Sequence, residues 1–374
     1  MNEVTQFSAG HEDLIHDVAY DFYGNRLVVR TGKAEKGKLR LILTFPVQTC
    51  SSDQKLKVWD MDRQTNVWVL NDTWKGHDSS ILKASWAHPE YGQVFASCSF
   101  DRSVRIWEEQ KHDAYTGGRK WVEKARLADS KGTVQDIEFA PNYLGLKLAS
   151  CSADGIVRIY EAMDVIQLSH WTLMDEIEVG TGSSKEPDAQ YCLSWCPSRF
   201  QPQMLAIGCG KENIAKVYRL DSHNRWQPHE ALGGHNDIVT DVAWAPNMGR
   251  SYQLIATASK DGHVRIFKLT DENTRGGAVG GVGGWQQPAA AAAAVGGLTQ
   301  KGKKKFRVDT VADFSDHGAE VWRVEWNVTG TILSSSGDDG KVRLWKASFL
   351  DEWKCISIIS AEQGVGDYGE NAMR

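Results

Sequence analysis

The chain has 374 residues, and its 43 Lys and Arg against 48 Asp and Glu leave a net charge of −5. That balance excludes a polycation built to neutralise a phosphate backbone. The longest nearly apolar run, Pro288 to Val295, falls far short of the ~20 residues of a membrane-spanning helix. The opening, MNEVTQFSAGHED, has neither the basic start nor the apolar core of a secretory signal. Seven Cys without regular spacing argue against a disulfide framework and fit a reducing compartment, so the sequons at Asn71 and Asn327 read as chance. Cys192 and Cys196 have no second pair at finger-like spacing and are not read as a zinc site.

A repeat runs through the chain. A His followed nine residues later by an aromatic occurs at His11/Tyr20, His77/Trp86, His235/Trp244 and His317/Trp326. Ser130/Phe139 and Glu186/Trp195 keep the aromatic and lose the His. Downstream, an acid precedes a second aromatic by six positions in all six units: Asp53/Trp59, Asp101/Trp107, Asp154/Tyr160, Glu212/Tyr218, Asp261/Phe267 and Asp339/Trp345. A spacing kept six times marks a repeat architecture.

In chain order, Val4, Thr5, Gln6, Phe7, Ser8, Ala9 and Gly10 precede the first unit and have no unit of their own to complete. Unit one spans 11–74. Its aromatic-to-acid interval is 33 residues against 13 to 17 elsewhere, and removing Arg30 to Gln48 restores 14. This insert interrupts a strand, so it is either an excursion from the sheet or an intron carried into the reading frame. Unit two spans 77–127, unit three 130–179 and unit four 186–232. Unit five, 235–316, holds a Gly/Ala-rich insert at 270–305, a linker composition that cannot pack a core. Unit six spans 317–360 and is followed by a tail, 361–374. Each unit reads as four short strands. Asp-Gly pairs such as Asp154-Gly155, Asp261-Gly262 and Asp339-Gly340 mark a tight hairpin, because they tolerate positive φ. His, strand Ser, turn Asp and strand Trp read as a hydrogen-bonded brace within each blade. Its members are His11, Asp53, Trp59, His77, Asp101, Trp107, Asp154, His235, Asp261, His317, Asp339 and Trp345.

These units resemble WD40 repeats, whose fold is an all-β propeller of four-stranded blades. The text between repeat positions is more specific. GHEDLIHDVAYDFYGNRLV at 10–28, TCSSDQKLKVWD at 49–60 and WKGHDSSILKASWAHPEYGQVFASCSFDRSVRIWEE at 74–109 are similar to the WD40 nucleoporins of the Y-shaped nuclear pore scaffold. FAPNYLGLKLASCSADGIVRIYEAMD at 139–164 and HWTLMDEIEV at 170–179 extend the resemblance. This family is related to the COPII outer-coat propeller, which stands as the alternative identity. The resemblance implies a six-bladed ring left open, which a partner completes to seven blades by inserting one of its own. In the pore that partner is the helical-solenoid nucleoporin of the Y-complex short arm. In the SEA/GATOR-type complex that regulates TORC1 signalling at the vacuolar membrane, it is a propeller/solenoid subunit. By analogy, Val4 to Gly10 and the edge of unit six are the expected contact. Membrane association would come through the complex only, and no specific nucleic acid, metal or cofactor is expected.

Two other classes were weighed. His11, Glu12, Asp13, His16, Asp17 and Asp53 mimic a hydrolytic or metal cluster. Their repeat positions recur in units two, five and six, and four active sites in one chain is not a credible reading. GTGSS at 180–184 lacks the Lys and the strand–helix setting of a phosphate cradle. A closed propeller reading a peptide or histone tail would need a concentrated acidic face, whereas the acids here are spread along the chain.

Overall fold

The computed structural model describes the backbone of 14–20 and 26–32, and then residues 54–62, 64–65, 67–110, 121–179, 190–271, 306–349 and 352–360. Twenty-four strands form six four-stranded sheets, each antiparallel and in simple chain order. Blade one holds β1 (Leu14–Tyr20), β2 (Arg26–Gly32), β3 (Lys55–Asp62) and β4 (Val67–Lys75). Blade two holds β5 (Ile81–Trp86), β6 (Val94–Ser99), β7 (Val104–Glu109) and β8 (Trp121–Leu127). Blade three holds β9 (Val134–Phe139), β10 (Lys147–Ser152), β11 (Ile156–Ala162) and β12 (Trp171–Glu178). Blade four holds β13 (Tyr191–Trp195), β14 (Met204–Cys209), β15 (Ala215–Leu220) and β16 (Trp226–Leu232). Blade five holds β17 (Val239–Trp244), β18 (Tyr252–Ser259), β19 (Val264–Asp271) and β20 (Phe306–Phe314). Blade six holds β21 (Val321–Trp326), β22 (Ile332–Gly337), β23 (Lys341–Ala347) and β24 (Trp353–Ser360).

The hairpin between the second and third strands shows how sequence sets local geometry. In all six blades the residue after the repeat acid has positive φ: Gln54, Arg102, Gly155, Asn213, Gly262 and Gly340. Gly accepts this region without penalty and Asn with little, whereas a long side chain such as Arg102 at φ 67° is strained. A bulge also recurs between the third and fourth strands, opposite or beside the repeat aromatic, as at Ile106/Trp107 and Leu344/Trp345.

The core lies between blades. Five apolar clusters each join neighbours: blades one and two, two and three, three and four, four and five, and five and six. The first is built from aromatics, with the Trp74 and Trp107 rings 5.4 Å apart edge-on and Trp121 buried between the blades. Inner strands follow the same order, β1 on β5, β5 on β9, β9 on β13, β13 on β17 and β17 on β21. Among the described residues, no packing of comparable extent joins β21 to β1.

The segment expected to be an insert from Arg30 to Gln48 begins inside a strand. β2 runs to Gly32, and Arg30 pairs with Leu56 on β3. The rest of that insert, the Val4–Gly10 segment and the tail lie outside the described residues, as does all but the first two residues of the 270–305 insert.

Candidate interaction surface

The repeat residues meet inside the blades. In blade two His77 Nδ1 lies 3.0 Å from Asp101 and its Nε2 lies 2.7 Å from Ser97 Oγ, to which Trp107 Nε1 donates at 2.9 Å. A neutral imidazole fits every partner: Nδ1–H donates to the carboxylate and Nε2 accepts the serine hydroxyl. Blade six repeats the set with His317, Asp339, Ser335 and Trp345 at 3.0, 2.7 and 2.8 Å. Blade five uses His235, Asp261 and Thr257 at 3.1 and 2.7 Å, and Phe267 at the aromatic position has no N–H to give. Burial opposes the charge of these acids, yet hydrogen bonds outweigh it. His77, Ser103 and the Asp78 N–H hold Asp101 well below the usual carboxylate range. Burial also lowers His235 and His317, keeping both rings neutral.

Blade three replaces the imidazole. Arg158, buried, pairs with Asp154 at 3.0 Å and donates to Ser130 at 3.2 Å, while Tyr160 donates to Asp129 at 3.1 Å. In blade one Trp59 is buried, and His11 and Asp53 lie outside the described residues, as do Val4 to Gly10. Every brace side chain is enclosed in its own blade, so the set can stiffen the fold but offers no surface to a ligand. Cys192 and Cys196 are both buried, and burial pushes the Cys196 thiol up to about 12. Among the described residues no group of His, Cys, Asp and Glu is arranged to hold a metal.

The surface with no partner is on blade six. The second strands of blades two and four are buried along their whole length, and those of blades three and five at all but the first residue. β22 instead alternates, with Leu333 and Ser335 buried against blade five and Ile332, Ser334 and Ser336 only half-buried. The same asymmetry reaches the third strand. Val104, Val157 and Val264 are at most 1% exposed three residues after their turn Asp, whereas Val342 is half-buried. Exposed apolar side chains also gather on the outermost strands of the two terminal blades. Val67, Val69 and Leu70 on β4, and Ile356 and Ile358 on β24, are 42–53% exposed.

The sequence carries a signal of this face that the repeat arithmetic passes over. Ser334 stands where the other blades have Ala96, Ala149, Ala206 and Ala256. Ser336 stands where they have Cys98, Cys151, Gly208 and Ala258. Two hydroxyls replace small apolar groups on one side of one strand, as expected where no blade of the same chain packs against it.

The chain matches the family described as WD domain, G-beta repeat, at residues 68–108, 226–268 and 309–346. It is 42% identical over 363 residues to the protein named Nucleoporin seh1 of Schizosaccharomyces pombe, covering 96% of this chain and 97% of that one. It is 40% identical over 368 residues to Nucleoporin SEH1 of Saccharomyces cerevisiae, covering 96% and 99%. Against Nucleoporin SEH1 of Homo sapiens it is 42% identical over 364 residues, covering 94% and 87%. Among solved structures, a chain of a mitotic checkpoint complex crystal structure shares the fold at a TM-score of 0.55 and 15% identity, over 89% of this chain and 74% of that one. A six-fold blade repeat and identity of this order along nearly the whole length lead to one assignment: the chain belongs to the Seh1 family of WD40 β-propeller nucleoporins.

Proposed function

We propose that the protein is a non-catalytic scaffold subunit of the nuclear pore, and that it works by presenting an incomplete ring. The observation that carries this reading is the uncovered face of β22 and β23, at the one junction where no inner-strand packing is found among the described residues. A blade of another chain set against this face would cover Ser334, Ser336 and Val342, and the exposed apolar residues of β4 and β24 flank the same opening. Open sheet faces and edges favour such covering. The partner is a helical-solenoid subunit of the Y-complex that donates the blade in trans, and the N-terminal Val4–Gly10 strand joins that blade. A second assembly, the SEA/GATOR-type complex at the vacuolar membrane, would use the same face. The braces are structural, and the chain carries no reaction of its own.

An obligate contact of this kind buries more than the ~2,000 Å² at the top of the standard range. Tagging the protein at its native locus, washing at high salt and identifying the retained proteins by mass spectrometry tests the reading. A stoichiometric solenoid nucleoporin is expected. Recovery of the chain alone, or of COPII coat subunits, contradicts the mechanism or the identity respectively.

A further inference from the structure

The inner strands β5, β9, β13, β17 and β21 wall a central channel of about 500 Å³ that opens onto Ser334, Ser336 and Val342. Acid outweighs base in this wall. Asp136 and Glu138 of β9, Asp241 of β17 and Glu325 of β21 stand with the cations Lys83 of β5 and Arg323 of β21. His88 lies near the mouth. β13 brings Ser194 and the buried Cys192.

These acids are tied across blade junctions. Asp136 takes the ammonium of Lys83 at 2.5 Å from blade two and the N–H of Leu193 at 3.0 Å from blade four. Glu138 accepts the N–H of Trp195 at 3.0 Å, while Trp195 Nε1 donates to the Glu138 carbonyl at 3.2 Å. Asp241 accepts the N–H of Val324 at 3.0 Å, joining blade five to six. Ser194 Oγ accepts the N–H of Trp244 at 3.0 Å, which leaves its own proton for Glu138. The chain Trp244–Ser194–Glu138 therefore spans blades five, four and three.

We propose that this ring of carboxylates is a proton-linked clasp between blades, in which Glu138 retains a proton in the folded protein and its release loosens the junction of blades three and four. Four carboxylates beside two cations cannot all be ionised in a wall from which water is largely excluded. Burial pushes Glu138 up to about 7, with Asp136 adding to the rise and Lys83 and the Trp195 N–H opposing it. Burial likewise raises Asp241 against the pull of Arg323 and Lys83. The neutral form of Glu138 is the one the fold prefers. Its stabilisation is fully present below the ordinary value of 4.5 and is lost as pH rises through about 7.

The test compares unfolding of the full chain with that of Glu138→Gln, which is permanently neutral and nearly isosteric, from pH 5 to 8. The folded-to-unfolded ratio of the parent, divided by that of the variant, is expected to fall by up to about tenfold per pH unit towards pH 7 and then level off. Taking the quotient removes the titration of His235, His317 and the turn aspartates, which both proteins share. Carbon-13 NMR of labelled glutamate gives a readout that does not depend on the variant's folding. A Glu138 carboxyl midpoint near 7 is expected. Parallel pH curves, or a midpoint near 4.5, overturns the proposal.

Discussion

At the scale of single residues, the turn aspartates and the residues beside them carry the most measurable consequences. Asp101 is almost wholly enclosed and accepts bonds from His77, Ser103 and two backbone N–H groups. Asp101→Ala leaves those donors without their acceptor and should cost about 1–3 kcal/mol, read as a lower melting temperature without loss of any one binding activity. The acids and imidazoles of the braces pull in the same direction with pH. Asp101, Asp261 and Asp339 titrate below their ordinary value, so their contribution is present above it and is lost as pH falls through it. His235 and His317 are held neutral, so they too stabilise above 6.5 and less below it. Melting temperature should therefore drop steeply under acid conditions, opposite in sign to the Glu138 effect. Arg102 gives the reverse kind of prediction. Its left-handed backbone is strained where blades three, five and six place Gly, so Arg102→Gly should stabilise by about 0.5–1 kcal/mol despite the greater freedom of an unfolded glycine. Chemical denaturation resolves a difference of that size.

The elements were the most legible part of the sequence, and the reason is the repeat. Six copies of one spacing identify strand, turn and strand even where a copy loses its His, because the aromatic and the acid still hold register. The Arg158 brace of blade three was not legible. An Arg four residues after the acid occurs in blades two, three, five and six, and only tertiary packing decides that in blade three it takes the imidazole's place. Legibility also failed at Arg30 to Gly32, which continue β2 although the spacing assigned them to an insert. A strand and an insert with β-branched neighbours look alike when only intervals are counted. The long segment in blade five allows a direct check. Asp271 and Phe306 are ladder partners on β19 and β20, so the intervening residues need only turn the chain. Deleting Gly276 to Lys305 leaves a four-residue connection and should keep the melting temperature nearly unchanged, since shortening a loop lowers its closure cost. A fall of several degrees would show that the segment packs.

For the whole molecule, the count of blades came from periodicity, but the uncovered face did not. Intervals say nothing about which side of a strand is packed. The hydroxyls of Ser334 and Ser336 do, once the register shows that Ala, Cys and Gly hold their places elsewhere. Truncating Met1–Gly10 should weaken the partner complex more than it perturbs blades two to five, a difference read by pull-down beside thermal melting. The central claim is that one face of blade six is left for another chain, and a matched pair of substitutions tests it most directly. Ser336→Arg and Ala258→Arg change equivalent repeat positions, the first half-buried and the second fully buried. Melting temperature and salt-resistant recovery of the solenoid partner are then measured for both. Ala258→Arg is predicted to destabilise the isolated chain, whereas Ser336→Arg leaves its melting temperature nearly unchanged and abolishes recovery of the partner. Equal destabilisation by the two, or full recovery of the partner with Ser336→Arg, would contradict the account.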